Sequence, residues 1–171
     1  VFGDWVNDLG FYKFQQVTHH GIPMIIARMG YSRELCYEIF LQDRSKGNEL
    51  WELLWEAGQE FQISAGGPNI ILRLEGGILS YLADIDRSNN PYEVGLDWLV
   101  DLDQEDDFIG KEALRLIRQN GPTKKLMGAE IHGDPIEDSN ADHWPVFING
   151  KKVGSMNAMV YSPRLDKNIC Y

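Results

Sequence analysis

The 171-residue chain is 43% hydrophobic and 25% charged, the balance of a folded globular protein and not of a disordered or fibrous one. Sixteen basic and 26 acidic side chains leave a formal charge of -10, so an overall phosphate-neutralising surface is lacking and nucleic acid is not expected as a partner. Unbroken apolar runs are short, Ile70 to Leu72 being typical, against the roughly 20 residues that cross a bilayer, so no membrane span is expected.

The first elements read as strands. FYKF from Phe11, IPMIIARM from Ile22 and CYEIFLQ from Cys36 are separated by breaks at His19-His20-Gly21 and at Ser32 to Glu34, which predicts three strands of a sheet. Asn48 then caps a helix whose apolar face holds Leu50, Leu53, Leu54, Ala57 and Phe61. A second helix is expected to start near Pro68 and to run through Ile71, Leu74, Ile78 and Leu82, with Gly76-Gly77 inside it marking close packing against another backbone. After Asn89-Asn90-Pro91, LDWLV reads as a strand and the acidic run Asp101 to Asp107 as a solvated loop.

Lys111 to Arg118 is a short helix stopped by Gly121-Pro122, where the domain boundary is expected. Beyond it the texture is strand and turn: KLMGAEI, PVFI and VGSMNAMVYS, with Asn149-Gly150 as a hairpin turn. The chain opens on Val1 with core-type aromatics and stops at Cys170-Tyr171 just after a strand-like NIC, so both ends are expected to be cuts in a longer protein. Two cysteines, Cys36 and Cys170, make no disulfide framework and point to a reducing cytoplasm.

Asp101, Asp103, Glu105, Asp107 and Glu112 occupy the oxygen-ligand positions of a twelve-residue calcium loop. Asp106 stands where that loop needs glycine, and a charged loop that stays in water is the expectation. His19 and His20 project to opposite strand faces. His132 and His143, with Asp134, Glu137, Asp138 and Asp142 between them, match no zinc spacing, so no metal is expected. Cys36 fits a small buried hydrophobe.

Glu38 remains. In a strand it shares a face with Phe40 while Tyr37 points the other way. A carboxylate beside an aromatic ring suits a flat heterocycle, accepting paired N–H bonds from an amino-pyrimidinone edge while the ring supplies stacking area. Spacing alone favours the plainer alternative, an exposed glutamate on a half-buried strand.

Ordered blocks give the chain a resemblance to a known family. Gly30-Tyr31 with Tyr37-Glu38, then Leu72-Arg73-Leu74-Glu75, then Asn90 to Trp98 followed by Phe108 to Leu114, and finally Asn149-Gly150, Val153-Gly154 and Tyr161-Ser162-Pro163 resemble successive segments of the folate-dependent aminomethyltransferases, the group of the glycine-cleavage T-protein. Glycine-cleavage members carry Gly-Ala-Arg-Asp where this chain has Gly67-Pro68-Asn69-Ile70, so their folate-linked arginine is Asn69 here. Pro-Asn at this point, Leu79 to Tyr81 and the opening VFG look more like the dimethylsulfoniopropionate demethylases.

The resemblance implies an α+β fold: a mixed sheet with two packed helices in a folate-binding region over residues 1–121, then part of a C-terminal β-barrel over residues 122–171. It implies an enzyme of one-carbon metabolism that uses tetrahydrofolate and a small-molecule methyl donor. Glu38 would bind the pterin edge, Tyr31 and Phe40 would shape an aromatic pocket, and Tyr12 would contribute from the first strand. No catalytic residue is implied within these residues, because the family's folate-facing aspartate belongs to a stretch ahead of Val1. Methyl transfer from a sulfonium is the activity implied, with glycine-cleavage chemistry or a noncatalytic folate-binding module as alternatives.

Overall fold

The computed structural model describes residues 1–137 and 143–171. The backbone divides into two compact units, Val1–Leu72 and Arg73–Tyr171. In the first, a short helix α1 (Trp5–Asp8) precedes strands β1 (Phe14–His19), β2 (Ile22–Ala27) and β3 (Glu38–Leu41), then helix α2 (Gly47–Gly58). Helix α3 (Ile70–Glu75) follows. The second unit carries α4 (Lys111–Asn120) and strands β4 (Ala129–Ile131), β5 (Trp144–Ile148), β6 (Lys151–Met156), β7 (Val160–Ser162) and β8 (Lys167–Cys170).

The α+β class is as the sequence suggests, but the named strands pair antiparallel throughout, in sheets β1-β2-β3, β4-β8-β7 and β5-β6, where a mixed sheet was expected. Neighbours joined by short turns have no crossover helix, and parallel pairing requires one. The β1–β2 turn is His20-Gly21, with φ of 49° and 74°, and the β5–β6 turn is Asn149-Gly150, with φ of 50° and 77°. Two successive positive φ values match the right-handed strand twist, which is why these dipeptides close hairpins.

Strand alternation places Ile22, Met24 and Ile26 of β2 on the face that α2 covers, where they join Leu50 in a buried cluster. Val17, Ile39, Leu41, Leu54, Trp5 and Phe2 pack around it. Phe61, placed by its spacing on the apolar face of α2, lies beyond the helix in a 3-10 turn (Gln59–Phe61) and is exposed.

Two further expectations differ from the structure. α3 starts at Ile70, with Asn69 as its cap, and ends at Glu75 instead of continuing to Leu82. Gly77 takes φ of 67°, and the N–H groups of Gly77 and Ile78 turn back to the carbonyls of Leu74 and Arg73, both at 3.0 Å. No atom lies within 4 Å of where a Cβ on Gly77 would be, so left-handed backbone and not close packing explains this glycine. Likewise Asp97–Leu99 of LDWLV form a 3-10 turn and not a strand, closed by Leu99 N–H to Leu96 O and Val100 N–H to Asp97 O, both at 3.0 Å. Local bonds there take the groups that a neighbouring strand would need.

The acidic run after it is a loop, as expected, and its interior is filled by a lysine. Lys111, buried, donates from Nζ to the carbonyls of Gln104 (2.7 Å) and Asp106 (2.9 Å). An ammonium group thus occupies the centre that a calcium loop would give to its ion. Among the described residues no group of three or more His, Cys, Asp or Glu side chains is placed to hold a metal; Asp138 and Asp142 lie outside the described residues. No helix among the described residues is long and apolar enough to cross a membrane.

Candidate functional site

β3 decides where Glu38 points. Its register against β2 pairs Glu38 with Ala27 and Phe40 with Ile25, which turns Ile39 and Leu41 to the core and Glu38 to the opposite face. Tyr37 turns the other way, packing on the core and donating its hydroxyl to the carbonyl of Val6 at 2.8 Å.

On the Glu38 side a cleft of about 310 Å³ opens within the first unit. One wall comes from the β2–β3 connection, with Met29, Gly30, Tyr31, Ser32 and Cys36; the other from the approach to α3, with Gly67, Pro68, Asn69 and Leu72. Glu38 is the only charged residue among those lining it. It is half-buried, and its carboxylate makes no hydrogen bond or ion pair with any of the described residues. A carboxylate held partly out of water with free lone pairs is an acceptor for N–H groups supplied by something else.

The structure brings together two of the four residues singled out from sequence. Glu38 and Tyr31 share the cleft. Phe40 lies on the same strand face as Glu38, 49% exposed, but outside the cleft lining. Tyr12 precedes β1 with φ of 58°, is 70% exposed, and meets the Phe11 ring at a tilt of 48° with centroids 4.2 Å apart. Sequence reasoning did not assign Gly67, Asn69, Leu72 or Cys36 to the site, although the resemblance had set Asn69 in the place of a folate-linked arginine.

Gly30 makes this wall possible. A Cβ added there would lie 2.0 Å from Cys36 Sγ, which donates to the carbonyl of Glu34 at 3.2 Å. Gly30→Ala is therefore expected to destabilise the first unit by roughly 1–3 kcal/mol through overpacking. Adding Cys36→Ala should recover most of that loss in urea midpoints; an equal loss in the double variant would place the cause elsewhere.

A larger recess of about 560 Å³ lies in the second unit, lined in part by Glu93, Lys124 and Asn157. Three of its polar side chains are already engaged. Glu93 accepts from Asn90 N–H at 3.3 Å and pairs with Lys124 at 3.8 Å, and Asn157 donates to the carbonyl of Ala83 at 3.1 Å. The smaller cleft with the unpartnered carboxylate is the better candidate.

The chain belongs to the GCVT N-terminal domain family, which its residues 3–104 match. It is 34% identical to the dimethylsulfoniopropionate demethylase DmdA of Ruegeria pomeroyi over 171 residues, 99% of this chain and 45% of that protein. It is 37% identical to the aminomethyltransferase of Halothermothrix orenii over 166 residues, 96% of this chain and 45% of the relative. The fold is that of the glycine cleavage system aminomethyltransferase T from Bartonella henselae, with a TM-score of 0.78 at 24% identity over 96% of this chain and 44% of that one. The chain thus spans less than half the length of the relatives it matches.

Proposed function

We propose that this chain is part of a tetrahydrofolate-dependent methyltransferase that removes a methyl group from a sulfonium donor such as dimethylsulfoniopropionate, in the cytoplasm. The observation that carries the folate reading is the half-buried, unpartnered Glu38 carboxylate in a cleft whose lining includes Tyr31. Paired N–H groups on one edge of an amino-pyrimidinone match its two oxygens, and an aromatic side chain adds stacking area. Phe40 and Tyr12 are proposed as outer contacts of the bound cofactor. Residues 1–121 would belong to the folate-binding domain and 122–171 to part of a β-barrel domain.

Tetrahydrofolate, when bound, supplies a nitrogen that accepts the methyl group. The contribution of this chain is to hold and orient the heterocycle and to keep water from it; the positive charge on a sulfonium already makes its methyl electrophilic, so alignment carries much of the catalysis. With no catalytic side chain assigned among them, these residues by themselves would bind without turnover. The 37% identity to an aminomethyltransferase favours glycine-cleavage-type transfer as the second reading, and a folate-binding module without turnover as the third.

Glu38→Ala is expected to weaken tetrahydrofolate binding by about 2 kcal/mol or more, about 30-fold, read by titration calorimetry. An unchanged affinity would remove Glu38 from the site. Turnover by the whole protein with sulfonium and methylamine donors then separates the first two readings, and folate affinity without turnover on any donor leaves the third.

A further inference from the structure

We infer that α1 is a brace for the Glu38 cleft, and that Arg28 and Tyr37 are the positioning residues that fasten it to the two ends of the wall carrying Tyr31. The inference rests on the folate reading above for its ligand and adds to it what sets the width of the site.

That wall is the loop of the β2–β3 hairpin, residues 28–37, closed by the Ala27–Glu38 pair. Two bonds within it are short in range: Glu34 N–H donates to Ser32 Oγ at 3.3 Å, and Cys36 Sγ donates to the carbonyl of Glu34 at 3.2 Å. Bonds of that kind shape a loop without fixing its tilt about the closing pair. The two ends reach further. Arg28 donates from Nη1 to the carbonyl of Leu9 at 2.8 Å, and the Tyr37 hydroxyl donates to the carbonyl of Val6, also at 2.8 Å. Both acceptors lie at the C-terminal end of α1, where a helix leaves its last carbonyls without intrahelical partners.

The brace has firm seats. Trp5 of α1 packs against the cluster of Ile22, Met24, Ile26 and Leu50, and the Arg28 N–H is bonded to the carbonyl of Lys13 at 2.9 Å. Alternation along the strands sets Arg28 and Tyr37 on the core side of the sheet, opposite Ala27 and Glu38. Two side-chain bonds on that side therefore resist a swing of the loop towards the cleft on the other. Both side chains are half-buried, where a hydrogen bond competes less with water. A wall already held in its bound position spares the ligand the cost of ordering it, and this raises affinity without any new contact. Arg28 lies outside the residues lining the cleft, and the Tyr37 hydroxyl is engaged at Val6, so each acts through the wall.

Tyr37→Phe removes one fastening and keeps the ring in the core; Arg28→Met removes the other and keeps a long side chain. Each should weaken tetrahydrofolate binding by about three- to tenfold in titration calorimetry of the full chain. Backbone order parameters at residues 29–36, read by NMR relaxation without ligand, should fall in both variants. Arg28→Lys keeps a donor and should recover most of the affinity. Leu54→Val thins the core from α2 and should lower the urea midpoint with affinity unchanged, which separates positioning from a general loss of stability. Unchanged affinity in both Tyr37→Phe and Arg28→Met would overturn the inference, whatever their urea midpoints, and would leave the folate reading intact. Failure of tetrahydrofolate to bind the unsubstituted chain would overturn the folate reading; the order parameters would then decide alone, and unchanged values in both variants would sink the brace.

Discussion

Replacing Arg73 by alanine is expected to destabilise the second unit by about 3–5 kcal/mol, the loss typical when one partner of a buried ion pair is removed. Arg73 and Asp84 have side chains 5% and 0% exposed. The guanidinium bridges the Asp84 carboxylate and the carbonyl of Ile78, the latter at 2.9 Å, and Ser80 N–H donates to the same Asp84 oxygen at 2.7 Å. This one arginine therefore ties the end of α3 to the loop that follows it. Without it the carboxylate keeps a single backbone donor, and the other carboxylate oxygen already has no hydrogen-bond partner among the described residues. Neighbouring Glu75 works in the same way, held by the Ser162 hydroxyl and the Arg164 guanidinium, so α3 is also joined to the end of β7. Urea unfolding followed by circular dichroism reads the effect. A loss below 1 kcal/mol would mean that water reaches Asp84, and Arg73→Met with Asp84→Leu should lie closer to the unsubstituted chain than Arg73→Ala does.

Ile26→Ala is expected to cost about 2–5 kcal/mol, the range for truncating a buried aliphatic side chain where the surroundings relax only in part. Ile26 is 1% exposed and belongs to the cluster of Ile22, Met24 and Leu50 beneath α2. Its neighbour Ile25 supplies the control: it sits on the opposite face of β2, half-buried, across from Phe40. Ile25→Ala should therefore cost clearly less. Equal losses at the two positions in urea midpoints would show that the register of the sheet is not the one described. The same cluster bears on the cleft, because Ile39 and Leu41 anchor β3 in it and so turn Glu38 outward.

Elements whose signals are local were legible. His20-Gly21 and Asn149-Gly150 close hairpins because their backbone preferences hold within two residues. The apolar spacing of α2 placed Leu50 and Leu54 on the core as read. The helix expected through Gly76-Gly77 failed because periodicity continues past a residue whose backbone does not, and LDWLV failed because a strand needs a neighbour that five residues cannot report. In the site, Glu38 and Tyr31 stand close together in a quotable pattern, whereas Asn69 and Leu72 reach the same cleft from more than thirty residues away.

From its residue order alone this chain announces its class, its turns, its family resemblance and the carboxylate at position 38, since each depends on short-range backbone preference or on side chains a few residues apart. Which face Glu38 takes, and that the other residues lining the cleft carry no charge, were decided by tertiary structure. Strand register fixes those directions by pairing groups distant in sequence, and no local preference encodes such a pairing.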